Sequence, residues 1–269
     1  MRATIWGCRG SRATPGASTV RYGGNTSCIE IRSAGGALAV LDAGTGIVQL
    51  GRSLVGDRAV GELDLLLTHL HLDHVEGLGF FAPLFDPSCT VTIWGPRPGP
   101  LSLADQLAVY LSPPFFPVPF EEFPARIEVR EIEGGEWTLG DLRVAADHVT
   151  HRGPTLGYRL EGGGRSLAYV PDNEPGVRAD SGAALAAAAD VLVHDAQYTA
   201  AEYATRRGWG HSALPDFARV VRTAAPGRAV MFHHDPAHDD EALESMLADV
   251  LALDPGVPVE LAREGLELL

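Results

Sequence analysis

Residues 63–74 read LDLLLTHLHLDH. The apolar run at its start predicts a buried strand over 63–67, and polar ligand-type residues follow at once. In an extended chain, side chains at i, i+2 and i+4 share one side. His69, His71 and Asp73 therefore point together at the strand's end, and His74 follows where the chain can turn into a helix. Neutral imidazole and carboxylate suit zinc, manganese or iron. Three imidazoles and a carboxylate within the six residues 69–74 exceed what one structural zinc site needs, and read as halves of two adjacent sites.

The same grammar recurs downstream. SLAYV (166–170) runs into Pro171-Asp172, DVLVH (190–194) into His194-Asp195, and AVMF (229–232) into His233-His234-Asp235. Four apolar strands thus each deliver His or Asp at their C-terminal ends. Strand ends along one sheet edge are where open α/β sheets build sites.

The wider pattern is mixed. Strands are predicted at 2–6, 27–32, 37–42, 63–67, 90–94, 126–132, 142–147, 155–161, 166–170, 190–194 and 228–232. Helices are predicted at 46–55, 74–80, 102–111, 179–189, 213–225 and 238–252, the last three Ala/Leu-rich with apolar residues at 3–4 spacing. Both halves contain both types, which suggests two stacked sheets with helices outside. The segment PPFFPVPF (113–120) fits neither a regular helix nor a central strand and reads as a rigid loop covering core, with a pocket wall or subunit contact as the alternative.

A chain of 269 residues can bury a sizeable core, as one large domain or two small ones. It carries 21 basic and 35 acidic residues, a formal net charge of −14, which argues against a general nucleic-acid coat protein. Every basic residue is Arg, so lysine chemistry such as a Schiff base is excluded. No apolar run approaches the ~20 residues needed to span a bilayer, the N-terminus shows no apolar signal region, and three widely spaced cysteines (Cys8, Cys28, Cys89) suit a reducing compartment. A cytoplasmic location without membrane contact is the expectation.

The combination THLHLDH (68–74), HRGPTLGYRLE (151–161), AYVPDNE (168–174), GHS (210–212) and FHHDP (232–236) resembles the metallo-β-lactamase-fold hydrolases. More narrowly it is similar to the phosphodiesterase branch that includes tRNA endonuclease Z and the cyclic phosphodiesterases. GCRGS…YGGNTSC (7–28) and LDAGTG (41–46) strengthen the likeness, which runs from about residue 4 to about residue 240. The resemblance implies an α+β fold, a four-layer αββα sandwich of two mixed sheets with flanking helices, as a single domain over 1–269. It also implies two divalent metal ions, with zinc expected and manganese or iron as alternatives. One ion would sit on His69, His71 and His151, the other on Asp73, His74 and His233, with Asp172 bridging. His148 competes with His151, and His234 with His233. Position before a Gly turn and a Gly-Tyr-Arg strand favours His151, and the family's ligand falls first in FHHDP.

In the endonuclease-like branch, the histidine of GHS helps to protonate the leaving group, beside an acidic partner from an HEAT-like motif. The resemblance gives those roles to His211 and to Asp195 of HDAQ (194–197), one methylene shorter than Glu. Ser212 is expected to cap the following helix, His238 to lie on the surface, and Asp42 to accept from a ligand imidazole. Asn25, Thr26 and Ser27 read equally as a polar turn or as groups near the site. Cys28 and Cys89 read as core, and the glycines of LDAGTG as a weak phosphate-cradle candidate.

The expected reaction is hydrolysis of a small phosphodiester, such as a cyclic nucleotide, by a metal-bridging hydroxide with His211 as general acid. Net charge, scattered arginines (Arg126, Arg130, Arg143, Arg152, Arg159, Arg206, Arg207) and the absence of a long basic insertion weigh against extended nucleic acid as a partner. A homodimer is suggested by family analogy alone. The alternatives are a lactone, thioester or lactam hydrolase, in which His211 would be dispensable, and a non-catalytic carrier like the pyrroloquinoline quinone pathway member of the fold. A di-iron redox centre would need a flavin partner domain for which 269 residues leave no room.

Overall fold

The structure, a computed structural model, describes residues 1–56, 60–176 and 181–269. Among these residues, thirteen strands form two sheets, each in unbroken chain order. The six-stranded sheet runs β1 (Arg2–Gly7), β2 (Cys28–Arg32), β3 (Leu38–Leu41), β4 (Glu62–Leu66), β5 (Thr90–Gly95) and β6 (Arg126–Glu131). The seven-stranded sheet runs β7 (Gly135–Leu139), β8 (Leu142–His148), β9 (Leu156–Gly162), β10 (Arg165–Val170), β11 (Val191–Asp195), β12 (Arg228–Phe232) and β13 (Val259–Leu261). Each opens as an antiparallel meander and then switches to parallel pairing, at β3–β4 and at β10–β11.

Parallel pairs need crossovers, and these supply the outer layers. α1 (Gly46–Gly56), α2 (Leu72–Val75) and α3 (Leu103–Tyr110) follow strands of the first sheet. α4 (Ser181–Ala186), α5 (Ala200–Arg206), α6 (Leu214–Ala224) and α7 (Asp240–Ala252) follow strands of the second. Three apolar cores result. Ala3, Ile5, Ile29, Ile31, Leu66, Val144, Leu160, Tyr169, Val193 and Phe232 fill the space between the sheets. Ile47, Leu50, Leu103 and Leu107 pack on the first sheet's outer face, and Phe217, Val221, Leu243 and Met246 on the second's. This is the four-layer αββα sandwich.

β10 illustrates why the sequence reads continuously apolar. Leu167 and Tyr169 face the other sheet, whereas Ala168 and Val170 face the helices. With both faces covered, no polar alternation is needed, and each such large side chain contributes about 1.5–3 kcal/mol on burial.

Several expectations need correction. β7, β13 and α5 had no predicted counterpart: GEWTL opens on a turn glycine, VEL is too short to show a period, and AAEYATR has no buried side chain. The helix predicted at 74–80 is one turn, Leu72–Val75, and then a 3-10 turn at Leu78–Phe80, divided at Gly77. A Cβ at Gly77 would sit 2.3 Å from the Gly44 carbonyl oxygen, so the close approach of two loops requires glycine there. The helix predicted at 179–189 is seen as Ser181–Ala186, and residues 179 and 180 lie outside the described ones. In the 113–120 loop, Phe116 packs edge-on against Phe80 and stacks on Phe123, whereas Phe115 is 75% exposed. The loop thus covers core as expected, with one aromatic left outside.

No helix of the described residues is long and apolar enough to cross a membrane. Cys8, Cys28 and Cys89 are buried free thiols.

Candidate metal centre

The two sheets stack so that the C-terminal ends of β3 and β4 meet those of β10, β11 and β12. Tyr158 and Tyr169 tie this edge from the second sheet: Tyr158 donates to the Leu67 carbonyl at 2.6 Å and Tyr169 to Asp42 Oδ2 at 2.8 Å. The ends of a few strands thereby bring residues from 42 to 233 into one place.

His69, His71 and His151 each present a ring nitrogen within 4.8 Å of the others, and so do the donor atoms of Asp73, His74 and His233. Asp172 lies between the groups. Its Oδ2 is 3.0 Å from His74 Nε2, and its Oδ1 is 3.3 Å from His233 Nε2 and 3.6 Å from His151 Nε2. Asp73 Oδ2 stands 3.1 Å from His233 Nε2 and 3.3 Å from His74 Nε2.

Surrounding groups orient the rings. Asp42 Oδ2 accepts from His74 Nδ1 at 2.8 Å, leaving Nε2 to face the cluster. The Thr68 hydroxyl donates to Asp42, so it accepts from His69 Nδ1 at 3.0 Å. The Gly210 carbonyl accepts from His151 Nδ1 at 2.7 Å. In each case the second nitrogen is free of its proton when the ring is neutral, the state a metal ligand requires. A cation fits this donor set: His69 Nε2, His74 Nε2 and Asp172 Oδ2 are buried without an aligned hydrogen bond. Buried polar atoms in that state are costly unless something binds them.

The electrostatics divide the histidines. Burial, reinforced by neighbouring rings, holds His69 well below its ordinary value, and burial brings His151 down to about 4. Burial also disfavours charge on His74 and His233, but the carboxylates Asp172 and Asp73 outweigh it. His74 is held well above the usual imidazole range, and His233 is pushed up to about 9. For Asp73 and Asp172, burial pushes upward, yet the facing imidazoles hold both well below the carboxylate range.

Against this cluster stands His211, whose Nδ1 is 2.8 Å from Asp195 Oδ2 and 3.6 Å from Asp172 Oδ1. Ser11, His71, Leu72, Asp73, Asp172, His211 and His233 line a cavity of about 310 Å³ above it.

The contested histidines separate cleanly. His148 lies at the surface with Nε2 3.3 Å from Glu133, whereas His151 Nε2 is 3.1 Å from His71 Nδ1. His234 turns away and donates to the Ala262 carbonyl; burial pushes it down to about 3. His194 is buried beneath the 172–174 loop, with Nδ1 on the Asp195 carbonyl.

Other readings are corrected. Ser212 does not cap its helix: Ala213 occupies the cap, and the Ser212 hydroxyl donates to the Asn173 carbonyl at 2.7 Å. His238 is buried, with Nε2 2.9 Å from Glu202 Oε1. The LDAGTG amides are engaged by protein carbonyls rather than free for phosphate, since Gly44 donates to Ser27 and Gly46 to Thr26. Thr26 and Thr45 exchange hydroxyl and amide bonds, which makes the 25–27 turn a support for the neighbouring loop.

Two contributions escaped sequence reasoning. The Ser11 amide donates to Asp73 Oδ2 at 2.7 Å from a left-handed backbone, φ 62°. Gly10 lies so close that a Cβ would fall 2.3 Å from His233 Nδ1. Only the phrase GCRGS before a strand-rich region hinted at them.

A profile for the β-lactamase superfamily domain matches residues 39–234. A ribonuclease Z from Mycobacterium sp. (strain KMS) is 31% identical over 220 residues, covering 76% of each chain. Among solved structures, human tRNase Z, short form, superposes with a TM-score of 0.72 at 21% identity, over 100% of this chain and 99% of the other. Zinc-bound PqqB from Methylobacterium extorquens gives 0.74 at 18%, over 100% of both chains. These relatives overturn the expectation that excluded extended nucleic acid as a partner, because the sequence relatives carry the name of a ribonuclease. Net charge summed over a whole chain does not decide the field at one site. The ligand-type clusters, the fold around them and the matched sequence together assign the chain to the metallo-β-lactamase superfamily of metal-dependent hydrolases, in its phosphodiesterase and ribonuclease Z branch.

Proposed function

We propose that this chain hydrolyses a phosphodiester at two divalent ions, one held by His69, His71 and His151 and the other by Asp73, His74 and His233, with Asp172 shared. Bound there, the ions would supply a water of lowered pKa and a clamp for developing negative charge. Imidazole and carboxylate donors suit zinc first, with manganese and iron as competitors.

The observation that carries the reading is the His211–Asp195 pair beside Asp172. Asp195 holds Nδ1, which leaves Nε2 as the atom that gives a proton. Hydrolysis adds water across a P–O bond. Water loses a proton to solvent and its OH joins phosphorus as the P–O bond to the leaving group breaks. The departing oxygen takes the Nε2 proton of His211, and solvent returns a proton to His211.

A small diester such as a cyclic nucleotide suits the cavity of about 310 Å³. The ribonuclease Z relatives favour a second reading, in which the end of an RNA enters the same site. The test is a panel on zinc-loaded protein: bis-aryl phosphate, cyclic nucleotides, a structured transfer RNA, a lactone and a thioester. Chelator-sensitive cleavage of phosphodiesters, lowered by His211→Ala, is the expected result. Turnover confined to the lactone or thioester and indifferent to His211 overturns the proposal.

A further inference from the structure

Glu174 is an acidic residue, 2% exposed and outside the cluster just described. Its side chain reaches across to the segment that precedes His211. Oε1 accepts from the Tyr203 hydroxyl at 2.6 Å and from the Gly208 amide at 2.7 Å, and Oε2 accepts from the Gly210 amide at 2.8 Å. Its own amide donates to the Thr150 carbonyl at 2.7 Å, one residue before His151.

The strap it grips has two outputs. The Gly210 carbonyl accepts from His151 Nδ1, and the next residue is His211. Gly208 and Gly210 both adopt left-handed backbone, with φ 81° and 93°, so this strap is bent in a way that side chains resist. A Cβ on Gly210 would stand 2.3 Å from His151 Nδ1, which leaves no slack between strap and ring. The Gly208 carbonyl in turn accepts from Arg152 at 2.9 Å. A carboxylate receiving two amides and a hydroxyl makes stronger bonds than a neutral acceptor and is costly to leave unsatisfied.

We propose that Glu174 is a positioning residue for both halves of the site: by fixing the Gly208–Gly210 turn it sets the ring orientation of His151 and the location of His211. The two groups need a common reference, because proton delivery must meet the bond that the metal pair activates. One carboxylate on the loop that also carries Asp172 provides it, so Asp172, His151 and His211 move as one unit.

The proposal rests on the assignment of His151 and His211 above, and its test separates the two. Glu174→Gln replaces one acceptor oxygen with an NH2 that faces an amide donor. Cobalt(II)-substituted protein reports ligand geometry by its visible spectrum whether or not any substrate turns over. In Glu174→Gln the spectrum is expected to shift, zinc affinity to fall about 10–100-fold, and kcat on a phosphodiester to fall more than KM changes. Glu174→Asp should recover part of each change if it is charge that matters. Should Glu174→Gln not fold, the same spectrum and affinity are read on Glu174→Asp, where a shift is expected. A folded variant of lowered melting temperature with unaltered cobalt spectrum and zinc affinity overturns the proposal. A wild type that binds cobalt through histidines but cleaves no phosphodiester refutes the function above and leaves this inference standing on its spectrum.

Discussion

His211 and Asp195 are sixteen residues apart in sequence and 2.8 Å apart in space, and Asp195 is fully buried while His211 borders the cavity. The pair therefore has one anchored member and one working member. A general acid matters most when the leaving group is a poor one. His211→Ala is expected to lower kcat on alkyl or nucleoside diesters by about 10²–10⁴-fold, and on p-nitrophenyl esters much less, with metal content unchanged. Asp195→Asn should follow the same order with smaller losses. Rates across leaving groups of graded pKa check this; a uniform loss would assign His211 to binding instead.

Metal loading should release protons. In the metal-free site Asp172 and Asp73 overcome burial to keep His233 charged up to about pH 9 and His74 well above its ordinary range. A divalent ion must displace those protons, so affinity rises with pH through the neutral range. The same shifts govern stability. His233 is raised in the folded state, so its contribution is complete below about pH 6.5, the unfolded value, and is lost as pH rises through about 9. The melting temperature of metal-free protein is expected to decline from pH 7 to 9.5, and zinc to remove the decline. Calorimetry in buffers of different ionisation enthalpy counts the protons.

Asp42 receives the Thr68 amide and hydroxyl, His74 Nδ1 and the Tyr169 hydroxyl while fully buried. Asp42→Ala strands these donors and should cost about 3–5 kcal/mol. Asp42→Asn keeps the size and tolerates the φ of 59°, but it presents an NH2 where His74 or Thr68 needs an acceptor. It should fold and bind the ion beside His74 about 10–100-fold more weakly. Denaturant titration and zinc competition measure the two effects separately.

Gly10→Ala tests the close approach of the first loop. The added methyl would meet His233 Nδ1 at 2.3 Å, and neither the ring nor the loop has free space, since Ser11 is fastened to Asp73. One ion per chain should be lost or weakened while the other persists, as read by metal analysis after dialysis. Two ions retained at wild-type affinity would place His233 outside the coordination sphere.

The strand ends were legible because burial on both faces leaves an apolar run, as in Leu65–Leu67 and Leu167–Val170, and a polar residue after such a run must have a partner. Strand period does not account for His69, His71 and Asp73 as expected: β4 ends at Leu66 and Asp73 lies in the first turn of α2, so His69 and His71 face His151 whereas Asp73 faces His74 and His233. Glu174 has no role legible in its motif, because two of its three side-chain partners are backbone amides 34 and 36 residues away that leave no side-chain signature, and the third, the Tyr203 hydroxyl, is 29 residues away. Ser11 and Gly10 escaped for the same reason: one acts through its amide and the other through the absence of a side chain. His238 was read as exposed from its charged neighbours, yet α7 begins at Asp240 and folds that turn inward, where the His238 carbonyl meets the buried Arg9. Charge was the least informative signal, since a sum over 269 residues hides the local field.

Seven side chains drawn from both sheets are proposed to hold two ions together. Crystals of zinc-loaded protein, recorded on either side of the zinc absorption edge, test it most directly. Two anomalous peaks about 3.5–4 Å apart are expected, one against His69, His71 and His151 and the other against Asp73, His74 and His233, with Asp172 reaching both. A single peak, or zinc bound elsewhere while these side chains keep their mutual contacts, would contradict it.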